Sequence, residues 1–495
     1  MHPFFKQPPG RLIQQINILL WFALALGGLH AFIILYQGTL VLGYPYSTTR
    51  IESFILNGAT RFAQGEPIYL GLNSDQYIVH VYNPLSYLPA GFLGRLFHLN
   101  MEQILLTGRL LSYFSTLLLA GVLAVWVRYT SGNWKYGLLV GLGIFFFQPF
   151  TATDFFRFRP EPLALLFTFL GVVVYLSEIR NKIIISALLL FTAFLFKQPF
   201  IAAPFAILIH LLIEKDVKSS ALFCATMGGL LLLYFGIGYV ATEGRFFQNT
   251  FTAMANNSIS PLTNLKIYLP LYFERSYALL LAPPIAALAL LRRWPKNRFL
   301  IIYLFVCAGW TFISAGKTGA SDNYFSELSI LSLICIAFAL AQYNTRQPLL
   351  VTGLLILLSS QVITDWVREG VFTPTLKIRL ENGGASIAPY VKRYCGDTKG
   401  TLILHEKLAV HCGDPVGLDW YLLDLLANKG QIDLAPLFSK VAQGKYHRII
   451  FDQQPHSQLE VKIFERVRNG PYRRVYSDQV VSEWVLTPVR RGQFP

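Results

Sequence analysis

The sequence predicts a mainly α-helical, polytopic membrane fold of about 11 transmembrane helices, with interfacial helices in its first outer loop and a small α/β domain at its C-terminus. Three observations carry the prediction. Of the 495 residues 54% are hydrophobic and only 14% charged, apolar runs recur from Ile16 to Ile363, and the composition turns polar after about residue 366.

A helix needs roughly 20 apolar residues to cross the hydrocarbon core. By that criterion spans are expected near 16–42, 105–127, 136–152, 161–177, 183–196, 200–213, 221–241, 277–291, 299–315, 325–341 and 349–364. The first run is too long, and Arg50 follows too late, for a cleaved signal peptide. Residues 1–365 therefore read as the membrane domain, with 43–104 as its first extracytoplasmic loop.

Orientation follows from the short connections, because positive charge near helix ends resists translocation. Lys6 and Arg11, Arg128 and Lys135, Arg180 and Lys182, Lys215 and Lys218, Arg292 to Arg298, and Arg346 all fall on one side, which reads as cytoplasmic with the N-terminus. The opposite side receives the first loop, the Asp154–Glu161 turn, the Lys197 turn, the loop 242–276, the Lys317–Asn323 turn and the tail.

That tail, 366–495, reads as a soluble extracytoplasmic domain. Residues 401–404 and 448–451 are strand-like, and 416–428 and 434–443 have helical spacing. Cys224, Cys307 and Cys335 lie in apolar helices as packing residues. Cys395 and Cys412 fall in the tail, where oxidation is permitted, and are either bonded or free. No second His or Cys stands at metal-ligand spacing around them. The net charge of +15 is not a nucleic-acid signature, since the soluble part lacks a basic stripe with interleaved aromatics.

Cations near hydrocarbon are costly unless they face a cavity or a partner. The turn from Asp154 to Pro162 packs Asp154, Arg157, Arg159 and Glu161 between two spanning helices, with two prolines fixing an irregular tip, either as self-paired charges or as an anion site. Lys197 joins two apolar runs of about 14 residues, about 21 Å of helix against a core of about 30 Å, so it either snorkels to the headgroups or faces a polar cavity. Gly316-Lys317 through Asn323-Tyr324 lacks Walker spacing and faces outward, which rejects an NTPase. It is a connector or a turn for a lipid phosphate or sugar.

In the first loop Ile51, Phe54, Ile55, Gly58, Ala59 and Phe62 recur at helical spacing, as in an amphipathic helix lying on the bilayer. Glu52 starts it, either projecting into a pocket or complementing the helix dipole. A second interfacial helix is expected from Pro84 to Leu96, after Tyr82-Asn83-Pro84-Leu85. Asp75 and Glu66 read as loop residues, Asp75 as a solvated turn.

An acidic residue in an interfacial helix of a long first loop, then Gly65, Tyr69 and Tyr82-Asn83-Pro84-Leu85, resembles the polyprenyl-phosphate-dependent glycosyltransferases of the GT-C fold. The Arg159-Pro160-Glu161, Lys197-Gln198 and Lys317 to Tyr324 turns sit where such bacterial proteins place similar groups. The family commonly has Asp or an acidic pair where Glu52 stands alone.

The resemblance implies an enzyme of the bacterial plasma membrane that moves one hexosyl or pentosyl unit from a polyprenyl-phosphate carrier to an extracytoplasmic glycan, lipid or protein. Glu52 would be the general base. Arg157, Arg159, Lys197 and Lys317 would bind the donor phosphate, and Asp154, Glu161, Tyr82, Asn323 and Tyr324 the substrate. No cofactor and no metal is expected, because cations can neutralise a single phosphate; a divalent ion would point to a pyrophosphate carrier. The competing class is a flippase of polyprenyl-linked sugars, which commonly shows internal repeats absent from this sequence.

Overall fold

A computed structural model describes residues 10–146, 155–255, 257–317, 320, 322–343, 347–369, 387–413, 415–453 and 457–487. The membrane domain comprises α1 (Gly10–Leu42), α2 (Arg50–Ala63), α3 (Leu88–Leu96), α4 (Met101–Ser131), α5 (Trp134–Phe146), α6 (Glu161–Tyr175) and α7 (Lys182–Phe196). It continues through α8 (Ala202–Ile213), α9 (Val217–Thr242), α10 (Pro261–Leu291), α11 (Trp294–Ala315), α12 (Ser326–Tyr343) and α13 (Pro348–Glu369).

Among the described residues six helices are long and apolar enough to cross a membrane: α1, α4, α9, α11, the α12 stretch Asn323–Tyr343, and α13. Shorter apolar helices occupy Trp134–Phe145, Glu161–Tyr175, Lys182–Phe196, Ala202–Ile213 and Ser276–Leu291. Every span expected from hydropathy coincides with one of these helices, though the last part of 136–152 lies outside the described residues. The chain is an integral membrane protein. Its largest core runs through α1, α5, α6, α8, α11, α12 and α13, and outward faces such as Leu232, Ile237 and Phe305 stay exposed for lipid.

Local chemistry sets the ends of these helices. Asn100 and Gln103 exchange side-chain and backbone hydrogen bonds at the start of α4, satisfying two of its free N–H groups, and Gly132 ends it at φ 74°, where a Cβ would be strained. The expected loop 242–276 is instead mostly helical: short turns fill 245–255, and α10 begins at Pro261 and breaks only at Ser276 (φ −153°, ψ 44°).

One expectation for the first loop needs correction. The polar residues Glu52, Asn57, Thr60 and Arg61 of α2 are buried within the protein and do not face water. Arg61 is held inside the protein, donating to Pro67 O and Gln76 Oε1 at 2.9 Å each, because α3 and the C-terminal domain cover what hydropathy alone left to water. Helix α3, in contrast, exposes Phe92 and Leu96 as an interfacial helix would.

The C-terminal domain holds α14 (Ala388–Tyr394), β1 (Thr401–Ile403), α15 (Glu406–His411), α16 (Trp420–Asn428), α17 (Ala435–Ala442), β2 (Arg448–Asp452), α18 (Gln458–Arg468), β3 (Tyr472–Ser477) and β4 (Val481–Leu486). The sheet order is β1-β2-β4-β3, with β1 parallel to β2 and the other pairs antiparallel. Cys395 and Cys412 are bonded, tying the end of α14 to the end of α15. The first loop joins this domain directly: Gly417 N donates to Gln76 O at 2.6 Å, Ile78 pairs with Leu418, and Tyr77 and Val79 enter the domain's core.

Candidate active site

Glu52 does not face an open pocket. Thr49 caps α2 and places Glu52 in its first turn, where both carboxylate oxygens are taken. Arg109 Nε reaches Oε1 at 2.8 Å and Nη2 reaches Oε2 at 3.0 Å, while the backbone N–H groups of Phe158 and Thr48 donate at 2.9 and 2.6 Å. Neither Glu52 nor Arg109 is exposed. Burial alone would raise the Glu52 carboxyl, but Arg109 and these donors hold it at about 2. Arg109 also donates to Val41 O, Tyr44 O and Tyr46 O, so the pair binds the end of α1, the start of α2 and the 155–160 turn to α4.

The turn descends onto α4 because residue 108 is glycine: a Cβ there would stand 2.2 Å from the Phe158 ring. Ser112 Oγ donates to Arg159 O at 3.3 Å. Sequence reading missed Arg109, although it is the lone charge between Glu102 and Arg128 in a spanning run, and such a charge is a functional candidate by default.

This brace delivers Arg159 and Glu161 to the second cluster. Glu161 Oε1 lies 2.7 Å from Lys197 Nζ and accepts from Asn323 Nδ2, and Arg159 Nε stands 3.5 Å from Glu161 Oε2. Three turns far apart in sequence therefore meet on one carboxylate. Lys197 takes the cavity-facing alternative and is 5% exposed, with the Tyr324 ring 5.0 Å and the Tyr82 ring 6.0 Å from Nζ. Trp310 Nε1 fixes its turn by donating to Pro199 O at 2.7 Å. The 81–86 segment closes over the same turn, with Asn83 donating to Phe194 O, Ser86 to Phe196 O and Gln198 to Val81 O.

Lys197, Asn323, Tyr324, Tyr82 and Lys317 line one cavity of about 550 Å³, which Asp419 and Tyr421 of the C-terminal domain also line. Lys317 is half-buried and is held there by backbone pairing with Ile259; burial lowers its ammonium from the usual lysine range. Arg159 and Lys197 against the single carboxylate of Glu161 leave a net positive charge behind the wall, and Lys317 adds another, so the cavity suits an anion. A separate apolar groove of about 670 Å³, lined by Phe62, Leu88, Phe191, Leu233 and Ile237, opens between the first loop, α7 and α9.

Of the remaining expected site residues, Arg157 is not on the cavity wall and acts electrostatically on Lys407 of the C-terminal domain. Asp154 lies outside the described residues. Asp75 is an exposed loop residue 3.4 Å from Lys440. Among the described residues no group of three or more His, Cys, Asp or Glu is placed to hold a metal ion. Sequence reading also missed Asp419, which no local motif marks.

No protein-family model matches the chain, and no curated protein matches it in sequence. Solved structures do match in fold. ArnT from Cupriavidus metallidurans bound to undecaprenyl phosphate superposes with a TM-score of 0.62 at 13% identity, covering 92% of this chain and 97% of that one. Its apo state gives 0.63 at 14% identity over the same shares. The Archaeoglobus fulgidus oligosaccharyltransferase, in complex with zinc and sulfate, gives 0.51 at 10% identity over 94% of this chain and 74% of its own. The chain has the GT-C fold of these membrane proteins.

Proposed function

We propose that this protein is an integral membrane glycosyltransferase that moves a single sugar from a polyprenyl-phosphate carrier to an acceptor on the extracytoplasmic face of a bacterial plasma membrane. The observation that carries the reading is the meeting of Arg159 and Glu161 with Lys197 and Asn323, the last two of which line the cavity. Fixed cations there neutralise the charge that develops on a departing lipid phosphate, at no cost of reorganisation. The separate apolar groove suits prenyl units, and ArnT, which shares the fold, binds undecaprenyl phosphate.

Glu52 is assigned a positioning role in place of the general base, since a base needs an open lone pair within reach of its proton. Lys197 and Lys317 do the neutralising, and no divalent ion is required. The test is transfer of labelled sugar from a panel of polyprenyl-phosphate sugars by the purified protein, with and without chelator. Transfer that survives chelation and falls about 100-fold or more in Lys197→Met is expected; movement of carrier across vesicles with no transfer from any donor would overturn the reading in favour of a flippase.

A further inference from the structure

Resting on that reading, we propose that Asp419 of the C-terminal domain is the general base that accepts the acceptor's proton, which makes this domain part of the active site. Among the described residues the cavity wall carries two lysines, Lys197 and Lys317, and one carboxylate, Asp419. The carboxylates of Glu52, Glu161 and Glu327 are engaged elsewhere: Glu52 by Arg109, Phe158 and Thr48, Glu161 by Lys197 and Asn323, and Glu327, behind the Lys197 turn, by the Tyr303 hydroxyl at 2.6 Å.

Asp419 is set in place from both sides. Its predecessors Gly417 and Leu418 pair with Gln76, Tyr77 and Ile78 of the first loop. Its own backbone is left-handed (φ 62°), a conformation that Asp and Asn tolerate better than most residues. Asp419 caps α16 through Oδ1, which accepts from Leu422 N at 3.1 Å, and a carboxylate has lone pairs to spare beyond that bond. Burial raises its carboxyl from the usual range, against the opposing pull of the Leu422 N–H and Arg50, which favours proton uptake nearer neutral pH.

The step balances. The acceptor heteroatom forms a bond to the anomeric carbon and its proton passes to Asp419. The bond from that carbon to the phosphate oxygen breaks, and the polyprenyl phosphate leaves with the electron pair beside Lys197 and Lys317. Donor and acceptor thus meet in one cavity, the leaving phosphate beside Lys197 and Lys317 and the acceptor beside Asp419 of the C-terminal domain.

The test compares wild type, Asp419→Asn and Asp419→Glu in the full-length protein. Asparagine keeps both the helix cap and the left-handed backbone, so the variant should retain its melting temperature and its KM for the donor. Expected results are a loss in kcat of about 100-fold or more, disappearance of the acidic limb of the pH–rate profile, partial recovery in Asp419→Glu, and formation of glycosyl azide when azide, which needs no base, is supplied. Wild-type kcat in Asp419→Asn overturns the proposal, as does a kcat loss that leaves the acidic limb intact and is not relieved by azide. Absence of transfer by wild type itself overturns the transferase reading, and this proposal with it.

Discussion

Arg109 and Glu52 grip each other through two parallel bonds of 2.8 and 3.0 Å, and neither side chain is exposed. Removing one partner leaves an uncompensated buried charge, which costs about 3–5 kcal/mol, whereas replacing both by apolar groups is far milder. Glu52→Gln and Arg109→Leu should each lower thermal stability in detergent and reduce transfer in step. The Glu52→Leu/Arg109→Leu double variant should recover much of the stability. A Glu52→Gln protein that keeps its melting temperature and loses only catalysis would make Glu52 a chemical participant instead.

Two glycines of one helix should respond in opposite senses. A Cβ at Gly108 would collide with the Phe158 ring at 2.2 Å, while nothing lies within 4 Å of one at Gly121. Gly108→Ala should cost about 1–3 kcal/mol by overpacking and displace the Arg159–Glu161 turn. Gly121→Ala should be neutral or stabilise by about 0.5–1 kcal/mol. Parallel melting curves and donor binding decide it; equal effects at the two positions would show that the turn does not depend on its seat on α4.

Stability should fall as pH rises from 6.5 to 8. Glu406 at the domain interface, 3.3 Å from Arg50, is pushed up to about 8 by burial, and Glu460 to about 7. The folded protein therefore holds protons in this window that the unfolded chain has released, and that contribution is lost as pH climbs through the folded values. His405 and His411, lowered to about 4 by burial, act below 6.5 and in the other direction, since there the unfolded chain binds the extra protons. Melting temperature measured across the window should decline in wild type and flatten in Glu406→Gln.

The disulfide closes a loop whose ends are 17 residues apart, worth about 3 kcal/mol on loop entropy. It also holds the end of α15, where His411 Nε2 accepts from Ser47 N at 2.9 Å, close to Glu52. Cys395→Ser/Cys412→Ser should destabilise the protein by about that amount and weaken transfer more than it weakens donor binding. Calorimetry together with donor titration checks both parts.

The membrane helices were legible because hydropathy runs report burial in lipid or core directly, and Lys197, Glu161, Asn323 and Tyr324 stood out as polar groups at the ends of such runs. Their mutual contact was not legible: three turns meeting on Glu161 is a property of helix packing, which no local pattern encodes. Arg109 was visible in principle, as a solitary charge within an apolar run. Glu52 was found for the right reason, a carboxylate at the start of an apolar-striped helix, but its partner decides its chemistry and lies on another helix. Asp419 had no signal at all, since its place depends on pairing between Leu418 and Ile78.

Ser47 and His411 are hydrogen-bonded across 364 residues of sequence. At about 5–20 residues per second, a ribosome needs about 20 to 70 s to travel that distance. For that interval the nascent first loop waits without the domain that covers it, its Gln76 and Tyr77 carbonyls unclaimed. The cavity is thus finished only after Asp419 and Tyr421 have been made, and a chain released before them would insert in the membrane with that part of its wall missing.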